Sequence, residues 1–244
     1  MKQEEFFNII KEQLDQQMEE ENEHIEQAAQ ICADAVLKKR LIHVFGCGHS
    51  QMFAMEVFYR AGGLVPVNAL LTPHLALFPQ AKLSTFQERV ENFSQQYLDL
   101  QNTSSDDAMI IVSISGRNAA VVDMAMAAKE KGMKVIALVS KEFSEKVTSR
   151  HSSNKKLTDY ADVLLDIKCV EGDACLSMKE VPDKFTGTST ILGMMVMDSV
   201  ISRCIEICVD KGYVPPIYVS SNLDKGDDIN QKYIDTYREL ISCL

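Results

Sequence analysis

The chain has 244 residues, 46% hydrophobic and 25% charged, which suffices for one large α/β core. A formal charge of −10 and a pI near 5.0 exclude a general nucleic-acid binder, which would need a basic face for phosphate backbones. The longest apolar tract, 191–209, is interrupted by Asp198, Arg203 and Glu206, so it reads as a core helix and not as a membrane span.

The opening MKQEEFFNII is acidic and mixed, unlike a signal peptide, and seven cysteines without CxxC spacing fit reduced thiols, so a cytoplasmic protein is expected. Residues 3–39 read as one long helix. Phe6, Ile9, Ile10, Leu14, Met18, Ile25, Ala28, Ile31, Ala35 and Val36 form its apolar stripe, too long for a small sheet to bury, so a partner copy is expected: a homodimer or homotetramer. Strand-like runs follow at 41–45, 64–70, 108–113, 134–139 and 163–167, with helical patterns at 50–61, 84–100, 118–131 and 183–209. This alternation predicts a mostly parallel sheet covered on both faces, a three-layer αβα sandwich in a single domain. Residues 213–228 read as a loop and 229–243 as a short closing helix. Cys204 and Cys208 share a helix face, but two soft ligands without a third mean packing, and no metal is expected. Met194, Met195 and Met197 read as core filler, and Glu56 and Arg60, spaced i,i+4, as an ion pair.

Two stretches carry chemistry. In LIHVFGCGHSQMFAMEVFYRAGG, residues 41–63, a strand runs through glycines into a helix, which is how α/β proteins bring backbone N–H groups onto an anion. A dinucleotide fingerprint would need a small residue where Gln51 stands, and an acidic residue near the end of the second strand, where LVPVNALL has none. The second stretch, AMIIVSISGRNAAVVDMA, is again strand, loop and helix. Its Ser113, Ser115, Gly116 and Asn118 can surround a phosphate with uncharged donors.

Together, GCGHS and SISGRN resemble the loops of the sugar isomerase (SIS) domain family over about residues 20–210. The nearer resemblance is to a small bacterial branch labelled phosphoheptose isomerases, through SRHSSNKKLTDYADVLLD and EGDACL as well. The resemblance implies a flavodoxin-like five-stranded parallel sheet and a phosphorylated-sugar ligand, with no cofactor. It implies aldose–ketose isomerisation, with etherase or deglycase chemistry and a non-catalytic sugar-phosphate sensor as alternatives. A repressor version would carry a helix-turn-helix domain ahead of the SIS domain, for which 40 residues in one helix leave no room.

By the same resemblance Ser113, Ser115, Gly116 and Asn118 grip the phosphate, Asn118 standing in for the family's usual hydroxyl. Gly48 and Ser50 touch the sugar or its phosphate, and Thr188 and Ser189, in FTGTSTILG, lie near the ligand. Isomerisation needs a base beside two adjacent carbons and a group that opens the ring. Glu91 is the first candidate for the base, with Glu88 competing one turn earlier on the same helix. His49 and His151 are candidates for the second role, and His74 could also reach the site. A catalytic carboxylate there should be partly desolvated, with a raised pKa.

Overall fold

Every central strand is sealed from solvent on both faces, as the continuous apolar runs predict. The computed structural model describes all of residues 1–244. Five parallel strands, β1 (Ile42–Gly46), β2 (Val67–Leu70), β3 (Ala108–Val112), β4 (Lys134–Val139) and β5 (Val163–Asp166), lie in the order β2-β1-β3-β4-β5. Alternate residues feed two cores. Ile42, Val44 and Ile110 pack under α2 (Asn22–Leu37), α3 (Gln51–Val57) and α8 (Ser189–Asp210), whereas Phe45, Met109 and Ile111 pack under α5 (Phe93–Asp99) and α6 (Ala119–Glu130). Leu41, Val65, Tyr218, Tyr237 and Ile241 form a small third cluster that docks α9 (Gly226–Tyr237) and the C-terminus. No helix is long and apolar enough to cross a membrane.

Four expected elements differ. The first helix is two, α1 (Lys2–Glu20) and α2, meeting at Glu21. Asn22 donates its side-chain amide to the Met18 carbonyl at 2.6 Å, and the Glu21 carboxylate, almost wholly buried, accepts from the Asp166 amide at 3.1 Å. The apolar stripe divides there as well. Its α2 part, with Ala28, Ala35 and Val36, is buried within the chain. On α1 Ile10 is buried and Phe6 and Leu14 pack on the same core, so only Met18 of the stripe, with Phe7 outside it, is left largely exposed for a partner. Gln13 and Gln17 hold α1 in place by donating to the carbonyls of Lys168 (2.9 Å) and Ile167 (2.6 Å).

The expected helix over 84–100 is α4 (Ala81–Gln87) and α5, separated by a loop in which Asn92 takes a left-handed conformation (φ 67°). Asparagine tolerates this region better than most side chains, and its N–H donates to Asp123 on α6 at 2.6 Å. The expected helix over 183–209 begins only at Ser189. Ahead of it lies an exposed hairpin, β6 (Leu176–Met178) with β7 (Val181–Phe185). The short helix α7 (Lys141–Lys146) follows β4, started by Ser140, whose hydroxyl accepts from the Phe143 amide. The closing helix begins at Gly226, inside the expected loop.

Candidate functional site

All five strands run parallel, and the order in which they are laid down changes sense between β1 and β3; open α/β sheets bind ligands in the crevice beyond the strand ends at that switch point. GCGHS leaves β1 and SISGRN leaves β3, so the two loops flank it. Gly46 allows the first loop to fold back on itself. A Cβ there would lie 2.4 Å from the Ser50 carbonyl oxygen, and Gly48 adopts φ 58°. Gln51, the residue that spoils a dinucleotide fingerprint, is buried and donates to the Thr72 carbonyl at 2.9 Å, tying this loop to the end of β2. His49 is exposed, and neither it nor Ser50 spends its side chain on a protein hydrogen bond.

In the second loop Gly116 takes φ 63° beside Leu157 and Ser144, and its N–H donates to the Ser113 hydroxyl at 3.2 Å. Ser113 and Ser115 are both half-buried. Asn118 stands at the start of α6 without capping it. Its side-chain oxygen accepts from Arg150 Nη1 at 3.0 Å, so the first amides of α6 keep no side-chain cap.

The two carboxylates have environments opposite to expectation. Glu91 sits in the loop, not on a helix. Its two oxygens accept from the Ser152 amide and hydroxyl, both at 2.7 Å, and its side chain is 33% exposed. The Ser152 hydroxyl and then the Ser152 amide hold its pKa below the ordinary carboxylate range, opposite to what a base for a carbon acid requires. Glu88, at the C-terminal end of α4, is half-buried, and burial raises its pKa against the pull of the Asn118 amide, Arg89 and Arg150. Glu88 also adds to burial in pushing up the thiol of Cys47 in the first loop. This carboxylate therefore stands between the two loops.

His151 is buried with both ring nitrogens engaged: Nε2 with Asp123 at 3.0 Å, Nδ1 with the Ser153 hydroxyl at 2.7 Å. It fastens the 149–153 loop to α6 and leaves no nitrogen for a substrate. His74 is exposed and packs near the Phe93 ring, 5.7 Å between centroids, in a cavity of about 360 Å³ shared with Thr72 and Tyr97 beside the end of β2.

Thr188 and Ser189 also differ from expectation. Asp173 accepts from the amides of Thr188 (2.9 Å) and Ser189 (2.8 Å) and from the Ser189 hydroxyl. The anion at the start of α8 is the protein's own. The Thr188 hydroxyl is wholly buried and has no partner. Asp123, Asp173 and Glu88 were all readable as acidic residues out of place, the first in an apolar helix and the second ahead of a helix start. Only their partners, distant in sequence, explain them.

The SIS domain model matches residues 5–140. A UPF0309 protein from Halalkalibacterium halodurans is 39% identical over 239 residues, covering 98% of this chain and 96% of the relative. One from Geobacillus thermodenitrificans is 37% identical with the same coverages. Among solved structures, phosphoheptose isomerases from Neisseria gonorrhoeae and Francisella tularensis superpose with TM-scores of 0.54 and 0.51 at 21% and 18% identity. Both cover 86% of this chain, with 100% and 97% of their own lengths matched. Fold, loops and relatives agree that this chain belongs to the SIS domain family, alongside the UPF0309 proteins.

Proposed function

We propose that the protein binds a phosphorylated sugar at the β1/β3 switch point and isomerises it between aldose and ketose. The observation that supports this most is Glu88, a half-buried carboxylate of raised pKa between the two loops. The phosphate sits on the Ser113 and Ser115 hydroxyls and the leading amides of α6 other than that of Ala120, which the Glu88 carbonyl takes. Glu88 takes a proton from the carbon beside the carbonyl, leaving an enediolate. The hydroxyl proton of that carbon passes to the former carbonyl oxygen, and Glu88 returns its proton to the neighbouring carbon, a raised pKa suiting both directions of transfer. His49, exposed and unengaged, is the group at hand to assist ring opening. Glu91 and His151 hold the wall of the site and take no part in proton transfer. The phosphoheptose isomerases that share the fold make sugar phosphates the first ligands to test.

The test is exchange of solvent deuterium into C1 or C2 of a bound sugar phosphate, found by screening hexose, heptose and amino-sugar phosphates for thermal stabilisation. Exchange by the wild-type protein and its loss by about two to four orders of magnitude in Glu88→Gln, with affinity nearly unchanged, is the expected result. Binding without exchange would make the protein a sensor. Exchange that survives Glu88→Gln and fails in Glu91→Gln would return the base to Glu91.

The assembly is proposed as a dimer or tetramer through α1, whose Phe7 is exposed and whose exposed Met18 lines, with Leu14, Ile25 and Met195, a cavity of about 290 Å³. A solution mass equal to one chain would refute it.

A further inference from the structure

The chain has seven arginines. Four lie against carboxylates: Arg40 on Asp107, Arg60 on Glu56, Arg203 on Glu26 and Arg238 on Asp235. Arg89, Arg117 and Arg150 form no ion pair, although acidic residues outnumber basic ones by 35 to 25. Distant in sequence, these three gather at one place. The Arg150 amide donates to the Arg117 carbonyl at 2.8 Å, and the Arg150 guanidinium donates to Asn118 at 3.0 Å. Arg117 Nε donates to the Thr148 carbonyl at 2.8 Å. Arg89 follows Glu88, whose carbonyl accepts from the Ala120 amide at 3.0 Å. All three therefore project from backbone tied to the SISGRN loop and the start of α6.

Burial, then Arg117, then Arg89 hold Arg150 below the usual guanidinium range, and Glu88 is the one carboxylate opposing them. Three like charges collected on the rim of an acidic protein repel one another unless an anion sits among them. The phosphate of the proposed ligand does not require them, because hydroxyls and helix amides already serve it. A guanidinium's planar fork matches a carboxylate or a phosphate. We infer that Arg89, Arg117 and Arg150 receive a second anionic group, so that the ligand is a sugar phosphate bearing another negative charge, carboxylate or phosphate. Arg117 and Arg150 are braced by their bonds to Thr148 and Asn118. Arg89 makes no side-chain bond and is free to close on the ligand. This inference rests on the sugar-phosphate reading of the site and narrows it.

Two matched pairs of probes test it by calorimetry on the full chain: glucose 6-phosphate against 6-phosphogluconate, and fructose 6-phosphate against fructose 1,6-bisphosphate. In at least one pair the doubly anionic member should bind roughly 10- to 100-fold tighter. The first pair reports a carboxylate and the second a phosphate. The preference should shrink at high salt and disappear in Arg89→Gln/Arg150→Gln, which should leave the singly charged member's affinity within about twofold. Arg89→Gln alone removes no hydrogen bond of the fold, and should reduce the preference even if the double variant does not fold. Equal affinities within both pairs overturn the inference while leaving the sugar-phosphate site standing. A preference untouched by the arginine variants, or an equal loss for both members of a pair, also overturns it. If no sugar phosphate binds the wild-type protein, the reading of the site fails and the inference with it.

Discussion

Two helices of this chain start beside strand ends, and each start is treated differently. The start of α8 is filled: Asp173 accepts from both leading amides and from the Ser189 hydroxyl, and the neighbouring Thr188 is wholly buried. The start of α6 is left largely open: Asn118 turns its side chain to Arg150, Ser113 and Ser115 stay half-buried, and no side chain caps the leading amides, of which the Ala120 amide alone is taken, by the Glu88 carbonyl. Both ends attract an anion, because the first turn of a helix leaves N–H groups without partners. Where the protein supplies that anion the motif serves stability, and where it does not, a ligand has a place. Sequence shows the two as alike, a run of hydroxyls before an apolar helix. The distinction lies in an acidic residue 15 positions before Thr188.

The largest effect that separates the two starts should come from the open one. Ser113→Ala with Ser115→Ala is expected to weaken sugar-phosphate binding by about 2–4 kcal/mol, roughly 30- to 1,000-fold, while leaving the melting temperature nearly unchanged. Isothermal titration beside a thermal melt reads both quantities. Unchanged affinity would mean that α6 is not the anion site.

The filled start should respond the other way. Asp173→Ala is expected to cost about 1–2 kcal/mol of stability, as loss of a helix cap does, seen as a lower denaturant midpoint with an unchanged slope. Were Asp173→Ala instead to raise sugar-phosphate affinity at no cost in stability, Asp173 would be a removable occupant of a second ligand site, and the contrast would collapse.

The smallest effect concerns the two carboxylates beside the open start. The folded-state pKa of Glu91 is depressed, so its contribution to stability is present above the unfolded value of about 4.3 and is lost as pH falls through the folded value. Glu91→Gln should therefore melt below wild type at neutral pH, and the gap should close under acid. Glu88 has a raised folded pKa, so its ionised form costs stability at neutral pH and acid relieves that cost. Glu88→Gln should melt at or above wild type at neutral pH, with the difference vanishing below about 4.3. Melting curves across pH check the opposite signs, and equal behaviour would erase the contrast between their environments.

The sheet was legible because buried strands are continuous apolar runs, and both glycine loops were legible because a strand leading through glycine into a helix has few other uses. What was not legible depended on partners far along the chain. Nothing near Glu91 announces Ser152, and nothing near His151 announces Asp123. The break at 88–92 was hidden by an amphipathic pattern that continues across it, and tertiary bonding from Asp123 to the Asn92 amide overrides that pattern. Family resemblance pointed to this segment for a base, and within it the burial of Glu88 makes that glutamate, and not Glu91, the proposed one. Here Asn92 supplies a left-handed turn directly after Glu91, and Ser152 occupies the Glu91 carboxylate.

The side chains at 13, 17 and 21 recur once per helical turn, and each binds backbone of successive residues, Lys168, Ile167 and Asp166. The first helix thus works as a splint on the segment leaving β5, the same segment that reaches Asp173 a few residues later. Load on one is transmitted to the other. A second copy gripping Phe7 and Met18 would steady the loop that plugs α8, whereas trimming the first helix would slacken that loop without touching either glycine loop. If the chain assembles through its first helix, that assembly and the α8 start become one mechanical variable.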